Sequence, residues 1–181
     1  MPLKPGDGRV SFHHVDFAYD SRLKTLKDVD ISIEPGTTVA LVGMTGSGKT
    51  TILRLLLRLY DVTSGQIEID GQDIRDITLS SLRQTIGVVP QDPVLFNASI
   101  IENLRYARPS ASDEEVHDAC RAAAIHEKIL TFVDGYNTTV GEQGVKLSGC
   151  ELQRIAIALV FLKKSPILLL DEATSAVDSN T

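Results

Sequence analysis

The sequence predicts an α/β fold in which an α/β core carries an antiparallel β subdomain and a helical insertion. Three observations point there. The first third of the chain holds segments that alternate apolar and polar residues, the mark of half-buried strands. A short β-branched run, Thr38 to Val42, then leads through a Gly-rich loop into a leucine-dense segment, a strand–loop–helix order. After Pro93 the pattern turns helical, and a strand-like run returns only at Ile167 to Leu170.

Taken in order, Val10 to Phe17 and Val29 to Ile33 read as antiparallel strands, and Pro35-Gly36 as a turn. Thr38 to Val42 reads as a strand buried on both faces, and Thr51 to Tyr60 as a helix with Arg54 and Arg58 on one face. Gln66 to Ile69 and Ile86 to Val89 are further strands, with a hairpin-type turn at Asp70-Gly71. Ser112-Asp113-Glu114-Glu115 is a capping box that opens a helix running to about Ala124. Ser99 to Lys164 reads as mostly helical. The expected organisation is one domain, with residues 1–91 and 166–181 as the α/β core and 92–165 as the helical subdomain.

Composition narrows the function classes. With 18 basic against 24 acidic residues the net charge is -6, which argues against a general nucleic-acid binder. Cys120 and Cys150 form no CxxC, so neither a disulfide framework nor a zinc site is indicated. His13, His14, His117 and His126 are expected to serve surface or packing roles. The apolar runs Ile155 to Leu162 and Pro166 to Leu170 are split by Lys163 and Lys164 and fall short of the ~20 residues a bilayer needs. Met1 to Gly6 lacks the apolar stretch of a signal peptide, so any membrane attachment is expected to come from outside this sequence.

Gly43-Met44-Thr45-Gly46-Ser47-Gly48-Lys49-Thr50 matches G-x-x-x-x-G-K-[ST], with a strand pattern before it and a helix pattern after. Gly43, Gly46 and Gly48 let backbone N–H groups, with those of Thr45, Ser47 and Thr51, turn around phosphate oxygens, and the helix N-terminus adds partial positive charge. Lys49 is placed to reach the β- and γ-phosphates, and the Thr50 hydroxyl to ligate Mg²⁺. The other half of such a site is the apolar run Ile167 to Leu170, which ends in Asp171-Glu172. Asp171 suits Mg²⁺ and Glu172 a general base that polarises water. Alone, those two acids are as readily an ordinary solvated strand end; the phosphate loop in the same chain favours the functional reading.

These motifs resemble those of P-loop NTPases, and other residues narrow the resemblance. Leu147-Ser148-Gly149-Cys150-Glu151-Leu152-Gln153-Arg154 resembles the LSGGQ signature of ABC ATPases. Val89-Pro90-Gln91-Asp92 resembles their Q-loop, and Ser175-Ala176-Val177-Asp178 their D-loop. Tyr19 falls where that family places an aromatic that stacks on adenine. Within it, Pro90 to Asn97 and Asp171 to Asp178 are similar to exporter domains of subfamily B, and Glu151 to half-transporters of the mitochondrial and heavy-metal-tolerance type. The resemblance covers essentially the whole chain.

It implies two such domains paired head to tail around two ATP molecules, each ATP on one phosphate loop and under the other domain's signature helix. Ser148, Gly149, Cys150 and Glu151 would then face the partner's ATP, and Asp178 the partner itself. Gln91 would contact Mg²⁺ and sense a transmembrane domain. The expected cofactors are ATP and Mg²⁺; the expected partners are a second ABC domain and a transmembrane domain, with no nucleic acid. The expected location is a membrane, mitochondrial or vacuolar, reached through a transmembrane domain outside this chain; the chain as given would be soluble.

The sequence also departs from the family. Cys150 stands at the second signature glycine, where a side chain should crowd the γ-phosphate. Leu159 and Val160 replace an Arg-Ala step. The residues after the D-loop, including a switch histidine, do not follow Thr181, so hydrolysis by this chain alone is expected to be near zero. Two alternatives to an exporter component stay open: a degenerate, non-hydrolysing regulator, and a soluble ABC ATPase without transport.

Overall fold

The computed structural model describes residues 1–3, 6–20 and 23–171, in two compact units, 1–86 and 87–181. The Ser175 to Asp178 segment and Glu172 lie outside the described residues.

In the first unit, β1 (Val10–Phe17) lies between β2 (Leu26–Ile33) and β3 (Ser64–Ile69), and β3 carries the short β4 (Gln72–Asp73) at the sheet edge. All three pairings are antiparallel, which the alternating patterns predict for β1 and β2. The β3–β4 turn is Asp70-Gly71, with φ of 52° and 72°, the left-handed pair of a type I′ hairpin. The inward side chains Val10, Phe12, Val15, Phe17, Ile67 and Ile69 are all buried.

The alternation of β1 breaks at His13-His14. Phe12 pairs with Ile31 and Val15 with Val29, so two residues of β1 face Asp30 alone. On β2 the reverse occurs: Lys27 and Asp28 face Asp16 alone. His14 (φ 46°) and Asp28 (φ 48°) take the left-handed conformation at these two bulges. On the other side of β1 the bulge brings the His13 and His14 carbonyls against β3, where Gly65 has φ 81°. A Cβ on Gly65 would lie 2.3 Å from the His14 oxygen, so only glycine fits there.

The helix α1 (Lys49–Leu56) is shorter than the expected Thr51 to Tyr60. It ends in a Schellman turn: the Leu59 N–H donates to the Arg54 carbonyl at 3.0 Å and the Arg58 N–H to Leu55 at 2.9 Å. Arg58 takes the left-handed position usually given to glycine, at φ 49°. Its guanidinium donates to the Ile74 and Ile77 carbonyls at 3.1 Å and to Asp61 at 3.2 Å, which offsets the strain. It is therefore not on the helix face of Arg54. The helix α2 (Leu79–Thr85) is capped by the Thr78 hydroxyl.

A second correction concerns Thr38 to Val42. No strand forms there, and the run is open to solvent, with Val39 at 51% and Val42 at 92% exposure. A strand exists only as part of a ladder, and among the described residues no strand lies beside this run.

The second unit begins with β5 (Ile86–Val89), which enters from the first unit at Ile86 and pairs with the last strand, β8 (Ile167–Leu170). Between them lie β6 (Ala98–Ser99), α3 (Ile100–Arg105), α4 (Asp113–Ala122), α5 (His126–Leu130), a 3-10 turn at Gly135–Asn137, β7 (Thr139–Val140) and α6 (Gly149–Lys163). Three of these helices open with the same Ser-x-x-Glu box, at Ser99, Ser112 and Ser148. Ile100, Leu104, Val116, Cys120, Ile129, Ile155 and Leu162 form their shared core. Along β8, Ile167 and Leu169 are buried while Leu168 and Leu170 are exposed, because only one face is covered among the described residues.

Candidate functional site

Of the phosphate-loop residues, Gly43 to Gly48 lead through a turn into α1, and Lys49 and Thr50 are its first two residues. The Ser47 N–H donates to the Met44 carbonyl at 3.1 Å. Gly48 is the N-cap residue, at φ 93°, and a Cβ there would lie 2.6 Å from Leu26 Cδ2 of β2. Both the left-handed backbone and the close approach of Leu26 require glycine at this point. Because Gly48 has no side chain, no side-chain cap occupies the first N–H groups of α1. Those groups, with the helix dipole behind them, form the arrangement that accepts a phosphate. The Lys49 ammonium folds over the loop, donating to the Gly43 carbonyl at 2.8 Å and to Met44 at 3.0 Å. Thr45, Gly46, Ser47 and Thr50 are exposed around it, and Thr51 is buried.

Tyr19 lies beyond the end of β1 and meets α1. Its hydroxyl is 3.3 Å from Thr51 Oγ1 and accepts from Arg54 Nη1 at 3.4 Å. Burial pushes the phenol up, but the Thr51 and Arg54 hydrogen bonds outweigh it and leave its pKa below the ordinary value. Tyr19, Gly48, Lys49 and Thr51 are thus brought together in the first unit.

In the second unit the Asp171 N–H donates to the Val89 carbonyl at 3.0 Å, so Asp171 adjoins the end of β5. Gln91, two residues past Val89, is exposed. Gln153, which the signature resemblance includes without a role of its own, is 1% exposed in α6 and donates to the Pro90 carbonyl at 3.4 Å, tying α6 to the loop after β5. Its position five residues after Ser148 gave no signal, since only burial singles it out.

The signature residues form the N-terminus of α6. Ser148 is the N-cap, its hydroxyl accepting the Glu151 N–H, while the Glu151 carboxylate accepts the Ser148 N–H. Lys128 Nζ lies 3.3 Å from Glu151. Burial raises the Glu151 pKa, but the Ser148 and Lys128 contacts more than offset this and leave it below the ordinary value. A Cβ at Gly149 would meet nothing within 4 Å. Cys150 is half-buried and outside any disulfide.

Of the histidines, His117 packs against Tyr136 at a tilt, with centroids 4.4 Å apart, and His126 Nδ1 lies 2.8 Å from the Tyr136 hydroxyl. His14, Asp28 and Asp30 bring their polar atoms within 4.8 Å of one another, all exposed. Among the described residues no helix is long and apolar enough to cross a membrane.

The comparisons with known proteins agree with the motifs. The ABC transporter family profile matches residues 26–175. The chain is 59% identical over 174 residues, 96% of its length, to "ABC transporter aclQ" of Aspergillus oryzae, of which it covers 22%. It is 58% identical to "Heavy metal tolerance protein" of Schizosaccharomyces pombe, covering 99% of this chain and 22% of that one. It is 55% identical to human "ATP-binding cassette sub-family B member 6", covering 99% of this chain and 21% of that one. The chain thus spans about a fifth of the length of these relatives. A solved bacterial Atm1-family ABC exporter with ATP bound matches with a TM-score of 0.94 and 48% identity, over 98% of this chain and 31% of that chain. With its mixed α/β architecture and a profile match across most of its length, the chain belongs to the ABC transporter family as an ATP-binding domain.

Proposed function

We propose that this domain binds Mg-ATP at Gly43 to Thr51 and, within a longer protein, powers export across a membrane. The observation that carries this is the left-handed Gly48 opening α1 with no side-chain cap, beside the Lys49 ammonium. The donor set fits Mg²⁺: the Thr50 hydroxyl, the Gln91 amide oxygen and the Asp171 carboxylate are all hard oxygen ligands. When bound, the nucleotide supplies the γ-phosphoryl bond whose hydrolysis drives the cycle, and the metal neutralises its charge.

The chain's own residues have these roles. Lys49 leaves the loop carbonyls to contact the β- and γ-oxygens, and Tyr19 stacks on the adenine. Glu172 orients and deprotonates the attacking water. Ser148, Gly149, Cys150 and Glu151 contact the ATP of a second ABC domain, and Asp178 contacts that domain directly. Gln91 relays between the metal and a transmembrane domain. Residues 1–91 with 166–181 serve as the nucleotide core and 92–165 as the helical subdomain. The location this reading expects for the whole protein is a membrane, mitochondrial or vacuolar, and the likeness to heavy-metal-tolerance half-transporters supports a membrane.

The test is thermal unfolding of the chain with and without Mg-ATP. A ligand at a hundred times its Kd stabilises by about 2.7 kcal/mol, several degrees in Tm. Lys49→Ala should abolish the shift. No shift in the unaltered chain, or one that Lys49→Ala leaves intact, overturns the reading.

A further inference from the structure

We infer that Arg54 and Tyr60 are positioning residues that hold the Tyr19 ring as the platform for the nucleobase, so that together they set the preference for a nucleoside triphosphate over bare polyphosphate. The inference rests on the adenine-stacking role proposed for Tyr19.

Tyr19 lies two residues past the end of β1, on the connection to β2, and is 47% exposed. A ring on such a loop samples several rotamers unless something holds it, and freezing it at the moment of binding costs affinity. Here four side chains hold it. Phe17, itself buried, meets it in a T-shaped contact with centroids 4.8 Å apart and planes at 83°. Tyr60 meets it at 5.1 Å and 89°, and Tyr60 and Phe17 contact each other at 5.8 Å. Edge-to-face pairs of this kind fix relative orientation. At the other end of the ring, Arg54 Nη1 donates to the Tyr19 oxygen at 3.4 Å and the Thr51 hydroxyl lies 3.3 Å away.

The origin of these contacts gives them meaning. Thr51 and Arg54 are three residues apart and share one face of α1. Tyr60 follows the Schellman turn that ends the same helix. The N-terminus of α1 is the phosphate loop. The tyrosine is thus referenced to the element that would hold the phosphates, which fixes the distance between base platform and phosphate cradle. Tyr19 and Tyr60 are both about half exposed.

Dissociation constants for Mg-ATP and for magnesium tripolyphosphate, measured by calorimetry on the whole chain, test the inference. Tripolyphosphate reads the cradle alone, and so also reports whether each variant is folded. Tyr19→Ala should weaken ATP by roughly tenfold or more while leaving tripolyphosphate unchanged. Arg54→Leu and Tyr60→Ala should each weaken ATP by about three- to tenfold, again sparing tripolyphosphate. In a Tyr19→Ala background both should lose their effect, because nothing remains to position. If Tyr19→Ala shifts the ATP preference but Arg54→Leu and Tyr60→Ala do not, the positioning role is wrong and the adenine platform stands. If Arg54→Leu and Tyr60→Ala weaken both ligands equally, they support the loop as structure only, and the inference is overturned. If Tyr19→Ala leaves the preference unchanged, the adenine reading fails and the inference falls with it.

Discussion

The Ser148 N–H donates to the Glu151 carboxylate at 2.7 Å, and the Glu151 N–H returns to the Ser148 hydroxyl at 3.3 Å. This reciprocal box opens α6, the helix whose first turn carries Gly149 and Cys150. The residue at the fifth signature position is therefore a helix cap, whatever it does toward nucleotide. Glu151→Ala should lower stability by about 1 kcal/mol, read as a shift in urea midpoint, because the Ser148 N–H loses its acceptor and Lys128 its ion-pair partner. Glu151→Gln, which keeps an acceptor oxygen, should lose less. Equal losses for the two would show that the box contributes through charge and its Lys128 pair alone.

Cys150 lies in the same turn, and in the proposed pairing its side chain faces the γ-phosphate of a second domain's ATP. Cys150→Gly in the complete transporter subunit should raise ATP-driven pairing and ATPase activity. It should also lower the stability of α6 slightly, by up to about 1 kcal/mol, since glycine is a poor helix former. The opposite signs separate the two effects. Unchanged pairing and turnover would mean that the sulfur does not crowd the phosphate.

Asp16 and His14 give the first unit opposite pH dependences. The Asp16 carboxyl is lowered to about 2, first by the Lys24 ammonium, then by the Asp28 N–H and the Ser64 hydroxyl, against a small opposing effect of burial. A depressed folded value means its contribution is complete above the unfolded value of 3.8 and is lost as pH falls toward about 2. His14 is raised above 6.5, first by its hydrogen bond to Asp28, then by the charges of Asp30 and Asp28. Its contribution is complete below 6.5 and is lost as pH rises through the folded value. Asp16→Asn should flatten the acid limb of a stability–pH profile, and His14→Asn the limb above 6.5. Profiles unchanged by these substitutions would show that the pairs do not persist in solution.

Gly65 offers a sharper test of the bulged sheet. An alanine Cβ would lie within 2.3 Å of the His14 carbonyl at a φ of 81°, so Gly65→Ala should cost roughly 3 kcal/mol or more in urea unfolding. Gly71→Ala, also at positive φ but with nothing within 4 Å of the added atom, should cost only about 1–2 kcal/mol. Similar costs at both sites would mean that β1 yields and the paired bulges are not rigid.

What could be read from residues in order was what neighbours in the chain determine. The strand at Val10 to Phe17, the Asp70-Gly71 turn and the Ser112 box each depend on contacts within a few residues, and each forms as expected, although the alternation of the strand breaks at His13-His14. The Ser148 box has the same Ser-x-x-Glu spacing and depends on equally local contacts. The turn leading into α1 was readable because Gly46 and Gly48 act through their own backbone and the next helix turn.

Tertiary structure decided what depends on distant partners. Thr38 to Val42 has the composition of a buried strand, but composition supplies no neighbour to pair with, and the run lies open. The end of α1 carries no glycine, and it is the Ile74 and Ile77 carbonyls that hold Arg58 in its left-handed turn. Tyr19 was placed by its distance from the loop, whereas its hold by Arg54, Thr51 and Tyr60 exists only once β1 and α1 meet. Local conformational preference is written in adjacent residues; burial, pairing and the orientation of a side chain belong to the atoms that surround it.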